Sequence, residues 1–327
     1  MKILRVGDPH VKISNINESQ KLIDFICELK NEHAIDRIEF LGDQFHTHAV
    51  IRMEVLDFWN KALKKLSIYY KEIFMLVGNH DQPGSKEKEQ IMNSINIFKD
   101  EDSVTVIDKP FSSNGIAYIP YMSNKENFIN ASADLYTKGS TKLLIAHQTF
   151  TGATYSNGFY AEDGIEPELV PQDNIISGHI HKCQDIGKCF YPGTPKWDDA
   201  SDANQNKGVW LFEHHENGSV KSREFISTEK VLTSIKKYII NEGEEVPELS
   251  ETDQNYLEFH GKSAWIKKMK DKYKGIASIK AKPTDRKMNK ISILENYSLY
   301  DFLDKFFKPI EGIDILQIKE YMREIND

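Results

Sequence analysis

The chain has 327 residues, of which 39% are hydrophobic and 28% are charged, with a formal net charge of −8 at pH 7. This is the composition of an ordinary globular protein with room for one sizeable core and small additional domains. The acidic balance argues against a purely electrostatic nucleic-acid binder, and no apolar run approaches the roughly 18 residues of a membrane span.

The first two thirds of the chain alternate short apolar runs with helical patterns. Glycine, proline, asparagine or aspartate bounds each run, which is typical of buried strands. The predicted strands are Ile3–Val6, Arg37–Leu41, Ile73–Val77, Val104–Ile107, Ile116–Ile119, Leu143–Ala146 and Asn174–Ser177. Helices are predicted at Ser19–Lys30 and Val50–Leu66, where apolar residues recur three and four positions apart. This alternation predicts a layered α/β domain.

A hairpin closes this region, and the pattern then changes. Val209–Glu213 and Val220–Ile226 flank Asn217-Gly218, which is a strong turn signal. After residue 227 we predict a helix at Glu229–Ile240, an exposed acidic linker, a strand near Tyr256–Phe259, a helix near Ser263–Tyr273 and a strand near Ile276–Ala281. These elements are sufficient for a small α+β domain.

The last 30 residues are predicted to form two amphipathic helices. Their apolar faces hold Leu299, Phe302, Leu303, Phe306 and Phe307 in the first, and Ile315, Ile318, Tyr321, Met322 and Ile325 in the second. Two short helices cannot bury such faces alone, so they either dock on the core of this chain or bind a partner. We expect partner binding, and docking on the chain's own core stays open.

Basic charge is concentrated in one segment. Lys262–Lys290 holds eleven Lys or Arg residues and only two acids, and it follows an acidic stretch that begins at Glu242. Such a segment either follows the phosphates of a DNA backbone or is an ordinary solvated face. Both interpretations stay open from the sequence.

The chain has three cysteines, Cys27, Cys183 and Cys189, which are too few for a disulfide framework and predict a reducing cytoplasm. Cys183 lies two residues after a histidine motif and could be a metal ligand. We favour a neutral packing residue, because the motif already has enough nitrogen and oxygen ligands. The N-terminal apolar run is short and is followed at once by Asp8, so it does not resemble a signal peptide.

Five short polar motifs each follow a predicted strand. They are Gly7-Asp8-Pro9-His10, Gly42-Asp43-Gln44-Phe45-His46, Gly78-Asn79-His80-Asp81, Ala146-His147 and Gly178-His179-Ile180-His181. Strand ends in an α/β sheet converge on one edge, where such folds place their sites. The motifs combine carboxylate and amide oxygens with imidazole nitrogens, which suits Mn²⁺, Fe²⁺ or Zn²⁺. Seven candidate ligands are too many for one ion and about right for two.

Single motifs also have simpler interpretations. Taken alone, His147 could be a satisfied core histidine, and His46 could be a structural residue of its loop. The five remaining histidines are predicted to be surface or packing residues; they are His33, His48, His214, His215 and His260.

The complete set of motifs resembles the calcineurin-like metallophosphoesterases, whose pattern is present in order over about residues 1–195. Within that superfamily the chain is most similar to SbcD-type nuclease subunits of double-strand-break repair complexes, including their bacteriophage relatives. His46, three residues after Asp43, and the block Tyr191–Pro195 carry this finer resemblance. It implies a central β-sandwich of two mixed sheets flanked by helices, with a small α+β cap domain and a C-terminal helical pair.

The resemblance also implies a role for each residue of the motifs. Asp8, His10 and His181 would bind one ion, and Asn79, His147 and His179 would bind the other. Asp43 would bridge the two ions, for which Mn²⁺ is the implied metal. His80 would contact the scissile phosphate, Asp81 would orient the His80 ring, and His46 would lie beside the phosphate or leaving group.

The implied function is a DNA exonuclease and endonuclease of DNA end processing, recombination, repair and replication. The implied organisation is a nuclease domain at 1–227, a capping and DNA-binding domain at 228–290, and a helix-loop-helix at 291–327. An SbcC-like coiled-coil ATPase would bind residues 296–327. A homodimer would use the helical surface around Val50–Leu66 and Lys86–Phe98. The expected location is the cytoplasm, or the host cytoplasm for a phage protein.

Two other functions remain open from the sequence. A small-molecule phosphodiesterase or phosphatase would use the same ions and ligands. A non-catalytic scaffold on this fold is disfavoured by the complete ligand set.

Overall fold

The first sheet has six strands and contains the N-terminal strand of the chain. The structure is a computed structural model that describes residues 1–48, 50–83 and 92–285. In spatial order the strands are β12 (Val220–Ser227), β11 (Gly208–His214), β1 (Lys2–Val6), β2 (Arg37–Phe40), β3 (Ile73–Leu76) and β4 (Val104–Ile107). Strands β1 to β4 are parallel, and the hairpin β11–β12 joins them antiparallel to β1. Strands β1, β2 and β3 are buried along almost their whole length, which is typical of strands that are covered on both faces.

The second sheet also has six strands. In spatial order they are β5 (Phe111–Ser113), β6 (Ile116–Ile119), β7 (Leu143–His147), β8 (Asn174–Gly178), β10 (Cys189–Tyr191) and β9 (Gln184–Ile186). Strands β6, β7, β8 and β10 are parallel, whereas β5 and β9 pair antiparallel at the two edges. Both sheets are therefore mixed.

Helices cover one face of each sheet, and apolar side chains fill the space between the sheets. α1 (Ile16–His33) and α2 (Met53–Tyr69) pack on the first sheet, and α3 (Lys125–Gly139) packs on the second. The cluster between the sheets includes Phe74, Tyr118, Ile145, Phe190 and Phe212. This layering confirms the predicted α/β class with a central sandwich of two mixed sheets.

All seven predicted strands of the first region occur, within one residue at either end. The prediction missed α3 and the short strands β5, β9 and β10. A signal for α3 was present, since the Asn124 side chain caps the helix by accepting a hydrogen bond from the Asn127 N–H. Phe128 and Ser132, four positions apart, are the buried residues of its inner face.

The predicted helix Glu229–Ile240 is wrong. Residues 228–231 form a turn, and Ile235–Asn241 is a strand, β13. The Ser234 carbonyl oxygen accepts a hydrogen bond from the Gln254 N–H, at the start of the next strand. Isoleucine and tyrosine favour a pleated surface, so pairing with a neighbouring strand overrides the weak helical pattern of this segment.

A third sheet has the order β13 (Ile235–Asn241), β14 (Gln254–Gly261), β15 (Ser278–Pro283), and α4 spans Ser263–Tyr273. The chain divides into two compact units. Among the described residues, one unit comprises those of 1–238, 247–257 and 276–278, and the other comprises 239–246, 258–275 and 279–285. The two predicted C-terminal helices lie outside the described residues, so the division into functional domains stays a prediction. Among the described residues, no helix is long and apolar enough to cross a bilayer.

A buried polar network joins β1, β2 and β11. Arg5 Nε donates to Glu39 Oε2 at 2.8 Å, and Arg5 Nη1 lies 2.9 Å from His214 Nε2. Because arginine can only donate, Nε2 is the acceptor, and Nδ1 of His214 donates to the Gly218 carbonyl oxygen at 3.0 Å. His214 is therefore held as a neutral ring. Burial and the neighbouring Arg5 guanidinium lower the pKa of His214 to about 4.

This network predicts an acid-sensitive fold. The folded-state pKa of His214 lies below its ordinary value of 6.5, so its contribution to stability is present above about pH 6.5 and is lost as the pH falls towards 4. Between about pH 7.5 and pH 4.5 this loss amounts to about 2–3 kcal/mol. Urea denaturation of His214→Gln should show a pH dependence smaller by that amount. His215→Gln, at an exposed neighbour, should match the wild type; an unchanged slope in His214→Gln contradicts the assignment.

Candidate metal centre

Strand ends of both sheets bring the five motifs together. Strands β1, β2 and β3 of the first sheet run into the loops that hold Asp8, Asp43 and Asn79, while β7 and β8 of the second end at His147 and Gly178. The two sheets meet directly at this edge, since the His179 N–H donates to Asp8 Oδ1 at 2.8 Å. Residues more than 170 positions apart therefore share one site.

One group of ligand atoms lies around His10. Potential ligand atoms of His10, Asp43 and His80 lie within 4.8 Å of one another. His10 Nε2 is 2.9 Å from His181 Nε2 and 3.5 Å from Asp43 Oδ2. His10 and Asp43 are buried. The predicted ligands His10, Asp43 and His181 are thus adjacent, and His80 joins them.

A second group lies around Asn79. Potential ligand atoms of Asp43, His147 and His179 lie within 4.8 Å of one another. Asn79 Oδ1 is 2.7 Å from His179 Nδ1 and 3.0 Å from His147 Nε2, which is itself 3.3 Å from Asp43 Oδ1. Asp43 belongs to both groups, which is the geometry that a bridging carboxylate requires.

Backbone strain is concentrated at these residues. His10, Asp43 and His179 have φ values of 42°, 53° and 82°, in the left-handed region that residues with a Cβ rarely adopt. Such conformations cost about 1–3 kcal/mol each and persist where the surrounding structure imposes them. Three of them at one cluster indicate that the fold holds these side chains in place for a function.

Two glycines allow the loops to approach each other closely. Gly42 has φ +106°, and a Cβ there would lie 2.2 Å from His147 Nδ1. A Cβ on Gly7 would lie 1.9 Å from the carbonyl oxygen of Gly193, in the Tyr191–Pro195 block. That block therefore packs against the backbone of the first motif.

The donor set fits divalent cations. Asp8 Oδ2 is buried and has no hydrogen-bond partner in the described structure. His147 Nδ1 lies 2.7 Å from the Leu41 carbonyl oxygen and donates to it, so in the neutral ring the lone pair of Nε2 faces the oxygens of Asn79 and Asp43. Buried hydrogen-bond acceptors that face one another without a hydrogen-bond donor cost free energy, and a cation bound among them removes that cost.

The protonation of the cluster follows from the same contacts. Burial by itself would lower the pKa of His147, but the carboxylates of Asp43 and Asp8 raise it to about 9. Burial would raise the pKa of Asp43, but the neighbouring His147 holds it well below its usual range. Burial and His147 lower the pKa of His179 to about 3, so its ring is neutral and able to bind a metal. A divalent cation would displace the extra proton of His147.

The structure corrects the predicted role of Asp81. Its carboxylate does not contact the His80 ring; Oδ1 accepts from the Phe45 N–H at 3.1 Å and Oδ2 from the Gly78 N–H at 2.9 Å. Asp81 is buried between these two loops, whose amide groups satisfy its oxygens first. The His80 ring is oriented instead by the His46 carbonyl oxygen, which accepts from His80 Nδ1 at 2.7 Å.

Two further histidines lie at the exposed side of the cluster. The His46 ring centroid is 5.6 Å from that of His10 and 6.1 Å from that of His80, so this ring lies beside the cluster. His48 was assigned to the surface or packing, but its ring stacks on His80 at 3.9 Å and its Nδ1 lies 2.9 Å from the Asn79 carbonyl oxygen. The spacing His46-x-His48 was the signal that could have identified it.

A chain of hydrogen bonds links the backbones of His10 and His181, and we call it the His10–His181 brace. Asn15 Nδ2 donates to the His10 carbonyl oxygen and to Asp198 Oδ1, both at 3.0 Å; the Asp198 N–H donates to Asp202 Oδ2 at 3.0 Å; and Lys207 Nζ donates to Asp202 Oδ1 at 2.7 Å, Thr194 Oγ1 at 2.8 Å and the His181 carbonyl oxygen at 3.0 Å. The side chains of Lys207 and Asp202 are each 1% exposed. Of the side chains in this brace, only Thr194 lies in a motif of the sequence, the Tyr191–Pro195 block; no motif pointed to Asn15, Asp198, Asp202 or Lys207.

A family comparison accounts for this arrangement. The sequence profile described as Calcineurin-like phosphoesterase matches residues 1–183, which contain all five motifs. The chain belongs to the calcineurin-like phosphoesterases. Membership makes it a phosphoester hydrolase of a family that uses divalent metals, and the two ligand groups that share Asp43 are its candidate metal sites.

Two viral relatives of this calcineurin-like phosphoesterase are similar in sequence. Exonuclease subunit 1 of Enterobacteria phage T4 is 26% identical over 226 residues, which are 65% of this chain and 65% of that protein. The protein named as a phosphoesterase, 244L, of Invertebrate iridescent virus 6 is 30% identical over 203 residues, 59% of this chain and 69% of that protein. The match therefore spans slightly less than two thirds of the T4 protein.

A solved structure was also compared with this phosphoesterase. The crystal structure of a phosphatase from Mycoplasma pneumoniae matches 69% of this chain and 92% of its own, with 14% sequence identity and a TM-score of 0.41.

Cys183 is an exposed free thiol, and the candidate metal groups found among residues 1–48, 50–83 and 92–285 do not include it.

Proposed function

We propose that this phosphoesterase is a Mn²⁺-dependent two-metal DNA nuclease, an exonuclease and also an endonuclease, in DNA end processing, recombination and repair. The observation that carries the proposal is the sharing of Asp43 by two ligand groups, each with two buried members and one partly buried member, at the joined edges of the two sheets. The similarity to a protein named as an exonuclease subunit supports DNA as the substrate.

The side chains of the centre have distinct proposed tasks. A pair of bound ions would ionise a shared water and offset the negative charge that develops at phosphorus. Asp43 would hold both ions, and its Oδ1 also accepts from the His80 N–H at 2.8 Å, which ties the His80 loop to the centre. Because His80 Nδ1 donates to the His46 carbonyl oxygen, Nε2 is left for the substrate, and it would donate to a phosphate oxygen once the ring is protonated to an imidazolium.

The basic segment supports a DNA substrate. Its lysines in the described part of the chain, on α4 and β15 and at either side of them, are exposed; they are Lys262, Lys267, Lys268, Lys270, Lys272, Lys274, Lys280 and Lys282. Exposed lysines on one short segment suit contacts with successive phosphates, whose binding weakens as salt is added. Arg286–Lys290, the end of the segment, lies outside the described residues.

Fewer observations support the proposed assembly with partners. Val50 and Met53 are exposed apolar residues before and at the start of α2, which supports a homodimer through that helix, whereas Ile95 and Phe98 of the second candidate surface are buried in the core. An SbcC-like ATPase would bind residues 296–327, and the complex would act in the cytoplasm, or in the host cytoplasm for a phage protein. Light scattering tests the dimer, and deletion of 296–327 tests ATPase binding.

A substrate panel tests the proposed activity. Purified protein with Mn²⁺ is offered linear duplex DNA, short single-stranded DNA, a mononucleotide ester and an aryl phosphate. We expect metal-dependent cleavage of DNA that EDTA abolishes and that fresh Mn²⁺ restores. Cleavage of monoesters alone would instead support a small-molecule phosphatase, and no activity with any divalent ion would support a scaffold.

A further inference from the structure

We propose that a pocket beside the metal centre, which we call the Phe45 pocket, binds the nucleoside next to the scissile phosphate. This inference rests on the proposed function and adds the part of the substrate that the centre holds. The cavity has a volume of about 410 Å³. Its apolar wall is formed by Val11, Ile13, Phe45, Ile51 and Val55, and Lys12, His46 and Arg52 also line it.

The pocket and the metal centre share a wall. His46 lines the pocket, and its ring centroid lies 5.6 Å from that of His10 and 6.1 Å from that of His80. A phosphate at the metal centre would therefore have the pocket as its immediate neighbour. The next group along a nucleic-acid strand, a sugar with its base, is the part of the substrate that reaches it.

The floor of the pocket is rigid. Val11 and Phe45 continue the parallel pairing of β1 with β2 through an isolated bridge, and the Val11 N–H donates to the Gln44 carbonyl oxygen at 3.0 Å. The same carbonyl accepts from Trp59 Nε1 at 3.2 Å, which anchors the floor to α2. A preformed apolar floor suits a flat ring, because little ordering is lost when the ring binds.

The composition of the pocket matches a nucleotide rather than a bare phosphate. A phosphate ion would leave the apolar wall uncovered, whereas a base can pack against the exposed side chains of Ile13 and Ile51, above the buried floor of Phe45, and pockets of this size hold small molecules. Lys12 and Arg52 supply two positive charges for phosphates on either side of that base.

The test compares diesters that share a leaving group. Thymidine 5′-(p-nitrophenyl phosphate) and its 3′-linked isomer are compared with methyl p-nitrophenyl phosphate, using the full chain with Mn²⁺. We expect kcat/KM to be about tenfold or more higher for one thymidine isomer than for the methyl diester. In Ile51→Trp the indole would fill the pocket, so this preference should fall to near one, mainly through KM, while the methyl diester is unaffected.

A matched control lies near the C-terminal end of α2, the helix that begins two residues after Ile51. Ile68 in α2 is 79% exposed and does not line the pocket, so Ile68→Trp should keep the wild-type preference. Ser14→Trp, at an exposed position of the pocket, serves as a second variant should Ile51→Trp melt below the wild type. A wild type without nucleoside preference, or a preference that survives in both pocket variants, overturns the proposal.

Two other results of this experiment can be distinguished from those above. Loss of a dimer in Ile51→Trp with unchanged nucleoside preference would show that a second copy of the chain covers the pocket, which also overturns the proposal. A protein that cleaves neither DNA nor any of the diesters fails the proposed function instead. In that case calorimetric titration of thymidine 5′-monophosphate still tests the pocket: weaker binding in Ile51→Trp than in Ile68→Trp supports it, and equal binding overturns it.

Discussion

Replacing Asp43 with asparagine is expected to lower metal-dependent kcat/KM by about 10³-fold. Asp43 is the one residue common to both ligand groups, so the change weakens both sites at once. Asparagine keeps the shape of the side chain and one oxygen for the His80 N–H, which is 2.8 Å from Oδ1. The loss should therefore come from the missing negative charge rather than from a changed fold.

Calorimetric titration with Mn²⁺ and hydrolysis of a small diester measure this effect. Two tight sites are expected in the wild type, and neither should bind tightly in Asp43→Asn. Asp24→Asn is the matched control, since Asp24 is a surface residue of α1 paired with Lys65 at 2.8 Å. A variant that binds two ions with wild-type affinity would refute the bridging role of Asp43.

Replacing Lys207 with methionine should damage both stability and the metal centre. The ammonium of Lys207 forms an ion pair with Asp202 at 2.7 Å, and both side chains are 1% exposed. Methionine would leave the Asp202 carboxylate buried without its partner, which costs about 3–5 kcal/mol of unfolding free energy. The His181 carbonyl oxygen would also lose one of its two donors and keep only the Thr194 N–H at 3.1 Å, so the His10–His181 brace would be broken at that end.

A double variant separates the two consequences. Lys207→Met with Asp202→Leu removes the uncompensated charge, so most of the lost stability should return. Affinity for Mn²⁺ should stay reduced by about 10–100-fold, because the Lys207 donor to the His181 carbonyl oxygen is still missing. Lys221→Met, in an exposed ion pair with Glu213, should cost no more than about 1 kcal/mol and leave Mn²⁺ affinity intact. Full recovery of affinity in the double variant would show that Lys207 acts on stability alone.

The sequence prediction succeeded most often for elements whose pattern lies within a short stretch of the chain. Strands β1 to β4 and β6 to β8 have apolar runs with clear boundaries, and the helix at Ser263–Tyr273 was predicted to the residue. Prediction failed at Glu229–Ile240, where the periodicity was weak and a neighbouring strand offered hydrogen bonds. Local propensity differs by less than about 1 kcal/mol per residue between these states, so a few tertiary contacts decide.

The same distinction applies to the candidate site. The seven proposed ligands could be found because each follows a strand and carries an unusual residue type, and the structure brings them together. The role of Asp81 could not be found in this way, because it depends on which backbone N–H groups lie within reach of a buried carboxylate. The stacking of His48 on His80 likewise depends on how one loop folds back over another.

By itself, the sequence determined the layered α/β class, the order of the main strands and the set of side chains able to bind divalent ions. Periodicity and residue type encode these properties within short stretches of chain. Only the tertiary structure decided that Asp43 stands in both ligand groups, that Lys207 supports His181, and that a pocket floored by Phe45 adjoins the centre. These features arise from contacts between segments that are distant in sequence. The spacing of residues within one segment does not predict which distant segments will contact it.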